Sequence, residues 1–562
     1  YGGSSNSLVI SNGGTVANGF GYIGSLSSSN NSVLVTGTDS VWTNSGILSV
    51  GGSGSGNSLT ISNGSTVANT EGNIGTFSSS SNNSVLVTDG GTWTNSGILY
   101  VGRGGSSDSL VISNGGTVVN TEGYIGFTNT ASNNSVLVTD GGTWTNSDSI
   151  YVGLFGSSNS LVISNAGTVV NSNGYIGYDS NSTGNTVLVT DGGTWTNSGE
   201  LYVGYEGSSN SLVISDGGRV ISDLFGAIGN VSSASNNSVL VTGTNSAWLS
   251  DALVVGFNGS GNSLIISNGG GVTLVAAQSE GFGGIIGFGA DSTGNSVLVT
   301  GTSGLETLGA LVIGYGGSSN SLVISNGGTV ANAESVIGFE LTASNNSVVV
   351  TGTGSLWTNS SDLYVGSSGN SLTLADGGTV AASSISIATS IATNAVSSGT
   401  LNIGRFGTND TGGTIIAPTI AFGAGTGVIN FNQSNSTTVS AAISGAGTVN
   451  QLGTGTTTLS GSNGYTGTTT VAAGTLLVDG QIGLSGVSVL SGAAIGGSGT
   501  LAGSLSMAAG AQFVFSLNGA LMANAAPVTF VDFGIDDLVG LDSTVTNGAY
   551  PLIDGTAINF SN

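Results

Sequence analysis

Short apolar runs, each opened by an Asn-Ser or Asn-Thr pair and closed by a polar, glycine-rich turn, recur along the first two thirds of the chain. The block begins at Asn6, Asn31, Asn57, Asn83, Asp108, Asn134, Asn159, Asn185, Asn210, Asn237, Asn262, Asn295, Asn320, Asn346 and Asn370, with Asp108 the one break in the leading Asn. Twelve of the fourteen gaps lie between 24 and 26 residues. A fixed period of that size marks stacked supersecondary units, so the chain is read one coil at a time. The unit from Asn159 to Gly184 holds three short runs, Ser160–Ser164, Gly167–Asn171 and Gly174–Gly177, separated by Asn, Gly and Ser corners. Three strands per coil, each paired with its equivalent in the next coil, predict a triangular stack of parallel sheets with coils ~4.8 Å apart. The expected fold is all-β: a right-handed three-sided parallel β-helix (β-solenoid) of about 25 residues per coil, with a β-rich C-terminal cap.

Strand alternation assigns faces. Tryptophans in every second coil (Trp42, Trp93, Trp144, Trp195, Trp248, Trp357) alternate with the valines of Gly-Thr-Val units, which predicts a core of large and small layers with a two-coil period. The β-branched residue before each closing glycine, such as Val101, Ile125, Val152, Ile176 and Val203, points inward. Its predecessor then points outward, which places Tyr100, Tyr124, Tyr151, Tyr175 and Tyr202 in one row, either a cross-coil ladder or a glycan-facing strip. In the first strand all three apolar positions are filled, so one set must face out. The middle residues Val9, Leu34, Leu86, Val111, Leu137, Val162, Leu188, Val213 and Leu240 form a candidate assembly stripe, continued by Ile265, Leu298, Val323 and Val349 and interrupted by Thr60 and Thr373. A continuous apolar stripe of that length exceeds what a monomer exposes, which points to another copy packed on it.

The leading asparagines recur in register at a corner and predict a ladder of stacked side-chain amides. The aspartates of Asp89-Gly90-Gly91, Asp140-Gly141-Gly142 and Asp191-Gly192-Gly193 read as turn residues rather than calcium ligands, because Gly37, Gly243, Gly301 and Gly352 take equivalent positions.

Composition removes several function classes. Of 562 residues only Arg103, Arg219 and Arg405 are basic, against 28 carboxylates and a net charge of −25, which excludes nucleic acid as a partner and disfavours anionic membranes. Without Cys or His there is no disulfide, no thiolate or imidazole chemistry, and no basis for a metal or cofactor site. No apolar run approaches a membrane-spanning helix. Tyr1 to Asn6 repeats the mid-coil sequence Tyr315 to Asn320, so the sequence is expected to open inside a coil, with earlier residues removed or lying outside it.

The pattern changes twice. The gap from Asn262 to Asn295 is 33 residues, so extra residues around Gly269 to Gly284 are expected to leave the coil as a loop suited to a lateral contact. The register loosens through Ala381 to Ser397, giving expected divisions at 1–394 (regular solenoid), 395–510 (less regular solenoid) and 511–562 (cap). Within the second, Gly455-Thr-Thr-Thr-Leu-Ser-Gly-Ser-Asn-Gly-Tyr-Thr-Gly-Thr-Thr-Thr-Val-Ala-Ala-Gly-Thr-Leu-Leu-Val478 resembles the autotransporter-associated β-strand repeat of very large bacterial surface proteins. The resemblance implies secretion, a β-helical stalk and display on the cell surface. It carries no catalytic residues. The outer-membrane barrel or sorting segment often found in that family does not follow Asn562 in this sequence.

The resulting expectation is a secreted structural repeat protein that forms a fibre, sheath or stalk with copies of itself, side by side or head to tail through the open first coil. The alternative is an adhesin that grips surface glycans through the tyrosine row or through outward Thr and Asn rows (Thr66, Thr92, Thr117, Thr143; Asn69, Asn95, Asn120, Asn146), ordered water at an ice surface being a lesser target. A polysaccharide-acting enzyme is the remote reading. Lyase chemistry lacks a basic cluster, and Asp536 and Asp537, the one conceivable carboxylate pair, would point to opposite faces of a strand.

Overall fold

The structure, a computed structural model, describes residues 3–275, 282–389, 397–515, 521–541 and 549–561. It divides into two compact units, residues 1–297 with 303–309, and residues 298–302 with 310–562. Each is a parallel β-solenoid.

In the first unit every coil supplies a first strand (Ser84–Val87, Ser109–Ile112, Ser135–Val138 and their equivalents), a second (Thr92–Asn95, Thr117–Asn120, Thr143–Asn146) and a third (Leu99–Val101, Gly123–Ile125, Ile150–Val152). Each pairs in parallel with its equivalent one coil on: Leu86 with Val111, Trp93 with Val118, Tyr100 with Tyr124. In two coils the second and third strands fuse into single strands, Arg219–Ile228 and Ala247–Val255. Parallel pairing leaves no hairpin to fix register, so register is held by the corners.

The corner that opens each coil is an amide ladder. Asn57 donates from both its backbone N–H and its Nδ2 to Asn83 Oδ1, each at 3.0 Å. Asn134 does the same to Asn159, and Asn237 to Asn262. These side chains are fully buried. An amide is the side chain that can accept with one end while donating with the other, so the row repeats indefinitely. The ladder also explains the closing glycine. At Gly126, where φ is +79°, a Cβ would occupy the space of the Asn159 amide. Asn262 still donates twice to Asn295, at 2.9 and 3.1 Å, across the 33-residue gap. The ladder is therefore undisturbed by the longer interval, which holds the strands Gly271–Leu274 and Phe282–Ile286; residues 276–281 of the expected loop lie outside the described residues.

The interior has the predicted two-coil period. Trp93, Trp144, Trp195 and Trp248 are fully buried. A Cβ at Gly123 would meet the Trp144 ring, and Gly72 and Gly174 stand in the same relation to Trp93 and Trp195. Each large ring thus occupies space vacated by a glycine one coil below. Strand alternation also turns Asn69, Asn95, Asn120 and Asn146 inward, which corrects the outward placement expected for them: all four are buried. They serve the tryptophans. Trp93 Nε1–H donates to Asn69 Oδ1 and Trp144 Nε1–H to Asn120 Oδ1, both at 2.7 Å. A buried indole N–H needs an acceptor, and the inward Asn one coil below supplies it, two residues beyond the valine that pairs with the tryptophan: Val67 for Trp93 and Val118 for Trp144.

In the second unit the strand Asn370–Ala375 pairs in parallel with Ser398–Ile403, and that with Thr426–Phe431, so pairing continues through the stretch where the sequence pattern loosens. Beyond it the coils shorten. Thr456 pairs with Thr475, and Thr475 with Ala494, a repeat of 19 residues. Tyr465, in the motif-bearing segment, is fully buried; its hydroxyl lies 2.7 Å from Thr469 Oγ1, and burial pushes its pKa up to about 12. The closing segment is β-rich, as expected. Its strand Ile553–Ser561 pairs in parallel with Leu521–Val531, and Phe560 stacks on Phe530.

Asp108 is the ladder's one carboxylate. Its Oδ1 accepts from Asn83 N and Nδ2 at 2.8 and 3.0 Å, and its N–H donates to Asn134 Oδ1 at 2.9 Å, but its Oδ2, where every neighbour carries an amide donor, has no partner. Burial raises its pKa from 3.8 to about 7 against the two donors that lower it. The folded state therefore holds this proton more tightly than the unfolded chain. Its contribution to stability falls as pH rises from about 4 to about 7. Asp108→Asn completes the ladder and is expected to stabilise the fold by about 1–3 kcal/mol at pH 8 and by much less at pH 4, measured by urea or thermal denaturation at both pH values.

Candidate interaction surfaces

The first-strand face carries the aliphatic stripe. Val9, Leu34, Thr60, Leu86, Val111, Leu137, Val162, Leu188, Val213, Leu240 and Ile265 are register partners one after another. Their strand neighbours point into the core, as with Val85 and Val87 beside Leu86. The stripe itself is half-buried, with Val9 at one end 58% exposed. Hydroxyls flank it and are tied in coil pairs: Ser113 Oγ to Thr88 Oγ1 at 3.1 Å, Ser164 to Thr139 at 3.0 Å, Ser215 to Thr190 at 2.9 Å. No strand of this row contains a charged residue. The acids stand at the corner that follows, where Asp89, Asp140 and Asp191 adopt φ of +51°, +51° and +49°, alternating with Asn63, Asn114 and Asn165 in the same left-handed turn.

The second-strand face is a hydroxyl array. Thr66, Thr92, Thr117 and Thr143 are successive partners and half-buried on the outside. A second outward row alternates Ala68, Thr94, Val119 and Thr145.

The third-strand face holds the tyrosines. Tyr100, Tyr124, Tyr151, Tyr175 and Tyr202 stack with centroids 5.2, 4.9, 4.8 and 5.4 Å apart and planes within 15°. A second aromatic tier, which the sequence reading missed, lies across their edges. Phe127 sits edge-on to Tyr100 and Tyr124, Tyr178 to Tyr151 and Tyr175, and Tyr205 to Tyr175 and Tyr202. These residues follow the closing glycine by one position, a spacing visible in the sequence but masked by Arg103, Leu154 and Asn230 at equivalent places. The Arg103 guanidinium lies over the Tyr100 ring and pairs with Glu71. Tyr124 and Tyr202 hydroxyls donate to Glu122 and Glu200 at 2.7 and 2.8 Å. Ring faces are thus spent on one another, whereas a sugar stacks on a free face. The arrangement stiffens the sheet.

Asp536 and Asp537 lie in an exposed 3-10 turn, Ile535–Asp537, instead of a strand, and Asp537 accepts the Gly534 N–H at 2.8 Å. Among the described residues no cluster of carboxylates is arranged to hold a metal ion, and no helix is long and apolar enough to cross a membrane.

Comparison with known proteins finds likeness over parts of the chain. Residues 449–478, which include Tyr465, match the family model of the passenger-associated-transport-repeat. Over 173 residues the chain is 34% identical to the Adhesin BmaC autotransporter of Brucella suis biovar 1 (strain 1330), a match covering 28% of this chain and 5% of that protein. The chain therefore spans a small part of that relative's length. Among solved structures, the TibC-catalyzed hyper-glycosylated TibA55-350 fragment aligns over 73% of this chain and 100% of its own at 15% identity, with a TM-score of 0.24, too low to carry an argument.

Burial and the neighbouring phenols and carboxylates push the ladder tyrosines above the ordinary value of 10.0. Folding thus favours the protonated phenol, and stability falls as pH rises past 10. In an alkaline titration the phenolate absorbance of this row is expected to appear together with loss of the β-sheet circular dichroism signal; early phenolate at intact sheet signal would show the row open to solvent.

Proposed function

We propose that this chain, which carries passenger-type repeats of the autotransporter class, is a surface-displayed segment of a bacterial protein whose work is extension from the cell and lateral association with copies of itself. The observation that carries the reading is the first-strand face: an aliphatic row in register over eleven coils, broken once by Thr60 and free of charge, on a chain of net charge −25. Half-covered apolar area on a strand row without charge supports contact with another copy there, where the repulsion of so acidic a body is least. The buried amide ladder and the hydroxyl and phenol rows each link one coil to the next, which suits a stiff, extended body.

The name of the relative from Brucella suis, an adhesin, favours a second reading, adhesion; the threonine array (Thr66, Thr92, Thr117, Thr143) offers regularly spaced hydroxyls to a glycan. Catalysis has no support in the residues, with three dispersed arginines and neither His nor Cys.

The test uses a residue the fold already accepts in the stripe, the threonine of Thr60. The chain carrying Leu86→Thr, Leu137→Thr and Leu188→Thr is expected to keep its thermal melt and to sediment as a monomer, where the unaltered chain sediments as a dimer or larger. An unaltered chain that stays monomeric at high concentration overturns the self-association reading, and binding of that monomer to a glycan array would favour adhesion.

A further inference from the structure

We propose that two copies pair through the first-strand face with the same axial polarity, their coils rising in the same direction about a twofold axis parallel to the solenoid. The inference rests on the stripe being a self-association surface, and it comes from how charge is distributed on the two rims of that face within the first unit.

The rim that follows the first strands carries Asp39, Asp89, Asp140, Asp191 and Asp216, all exposed. Four of them sit three residues beyond the stripe, as with Asp89 after Leu86-Val87-Thr88 and Asp140 after Leu137-Val138-Thr139, and Asp39 sits five beyond Leu34. The opposite rim is the turn that precedes each first strand. It consists of uncharged pairs, Ser81–Asn82, Ser106–Ser107, Ser132–Asn133 and Ser157–Ser158, with Asp179 and Glu206 set further back in the loops that lead to it.

Two such faces can meet about a twofold axis in two ways. If the axis runs along the strands, the solenoids are antiparallel and the two aspartate rims face each other along their whole length. If it runs along the solenoid, the strand directions reverse across the interface and each aspartate rim meets the partner's Ser/Asn rim. Like charges placed opposite cost free energy, while the neutral rim offers hydroxyl and amide donors to the carboxylates. The aliphatic rows lie along the middle of the face and meet in either arrangement, so burial does not choose between them and the rims do. The area is sufficient: eleven strands ~4.8 Å apart and ~14 Å long give about 700 Å² per copy, or about 1,400 Å² in total, within the range of specific stable interfaces. Such a twofold contact is closed, and it leaves equivalent ends of both copies pointing the same way, as attachment to one cell requires.

The absence of cysteine makes the polarity readable by single introduced thiols. Leu34→Cys and Leu240→Cys stand near opposite ends of the stripe and point outward. Full-length L34C bearing a size tag is mixed with untagged L240C and oxidised at low ionic strength. The expected result is disulfide-linked L34C–L34C and L240C–L240C pairs in about tenfold excess over the mixed pair. A predominance of the mixed pair, or self-linking of neither variant while sedimentation still shows dimers, overturns the same-polarity twofold but leaves the stripe as the interface. No linkage together with monomeric sedimentation overturns the self-association reading itself. The two failures are therefore distinguishable.

Discussion

The buried amide ladder is the constraint on which the rest of the first unit depends. Each asparagine is withdrawn from water and must find an acceptor and a donor one coil away, since an unpaired polar group in that position costs more than the hydrogen bond returns. That requirement fixes where each coil starts. It forces a glycine at the close of the coil two before, because the amide of Asn159 occupies the room a side chain at Gly126 would need. It also holds across a change of length: the 33-residue interval before Asn295 keeps both ladder bonds. Asp108 shows the rule by its exception, a carboxyl that burial drives toward its neutral form and whose Oδ2 has no partner where its neighbours carry an amide donor.

The interior obeys a second constraint, volume. A parallel stack with ~4.8 Å between coils has no space for an indole at every level. Tryptophan therefore alternates with valine, and the glycine of the third strand one coil below gives the ring its room. The indole N–H then needs a partner in an otherwise apolar core, and the asparagine that shares its face supplies one. With the inside committed to packing, what remains free to vary is the outward set of each strand. That set is sorted by face: hydroxyls with a methyl-rich row on one, aliphatic residues between hydroxyls on another, stacked phenols on the third.

Fold class, coil length, the tryptophan core and the outward stripe were all legible in the residues, because strand alternation and a fixed repeat leave little freedom once the register is known. The inward turn of Asn69, Asn95, Asn120 and Asn146 was legible too, since Trp93 and Asn95 are two residues apart. Polarity alone suggests an outward asparagine, whereas parity with the buried Trp93 turns Asn95 inward. The second aromatic tier was not legible. Phe127, Tyr178 and Tyr205 follow a glycine of positive φ, and where the chain goes after such a turn depends on backbone geometry rather than on pattern. The shortening to 19-residue coils likewise follows from pairing partners that similarity alone does not number.

By itself the sequence determined that this chain winds into short parallel strands, what lies inside them, and that no imidazole, thiol or basic cluster is present to do chemistry. Those properties follow from periodicity and composition, which are local and additive. The tertiary structure decided which outward residues remain available. Tyrosines that the pattern placed on the surface spend their faces on one another and their edges on a second tier, while the aliphatic stripe stays half-open between one charged rim and one neutral rim. The reason is that exposure depends on neighbours from adjacent coils, and those neighbours are brought together only when the chain has closed each turn.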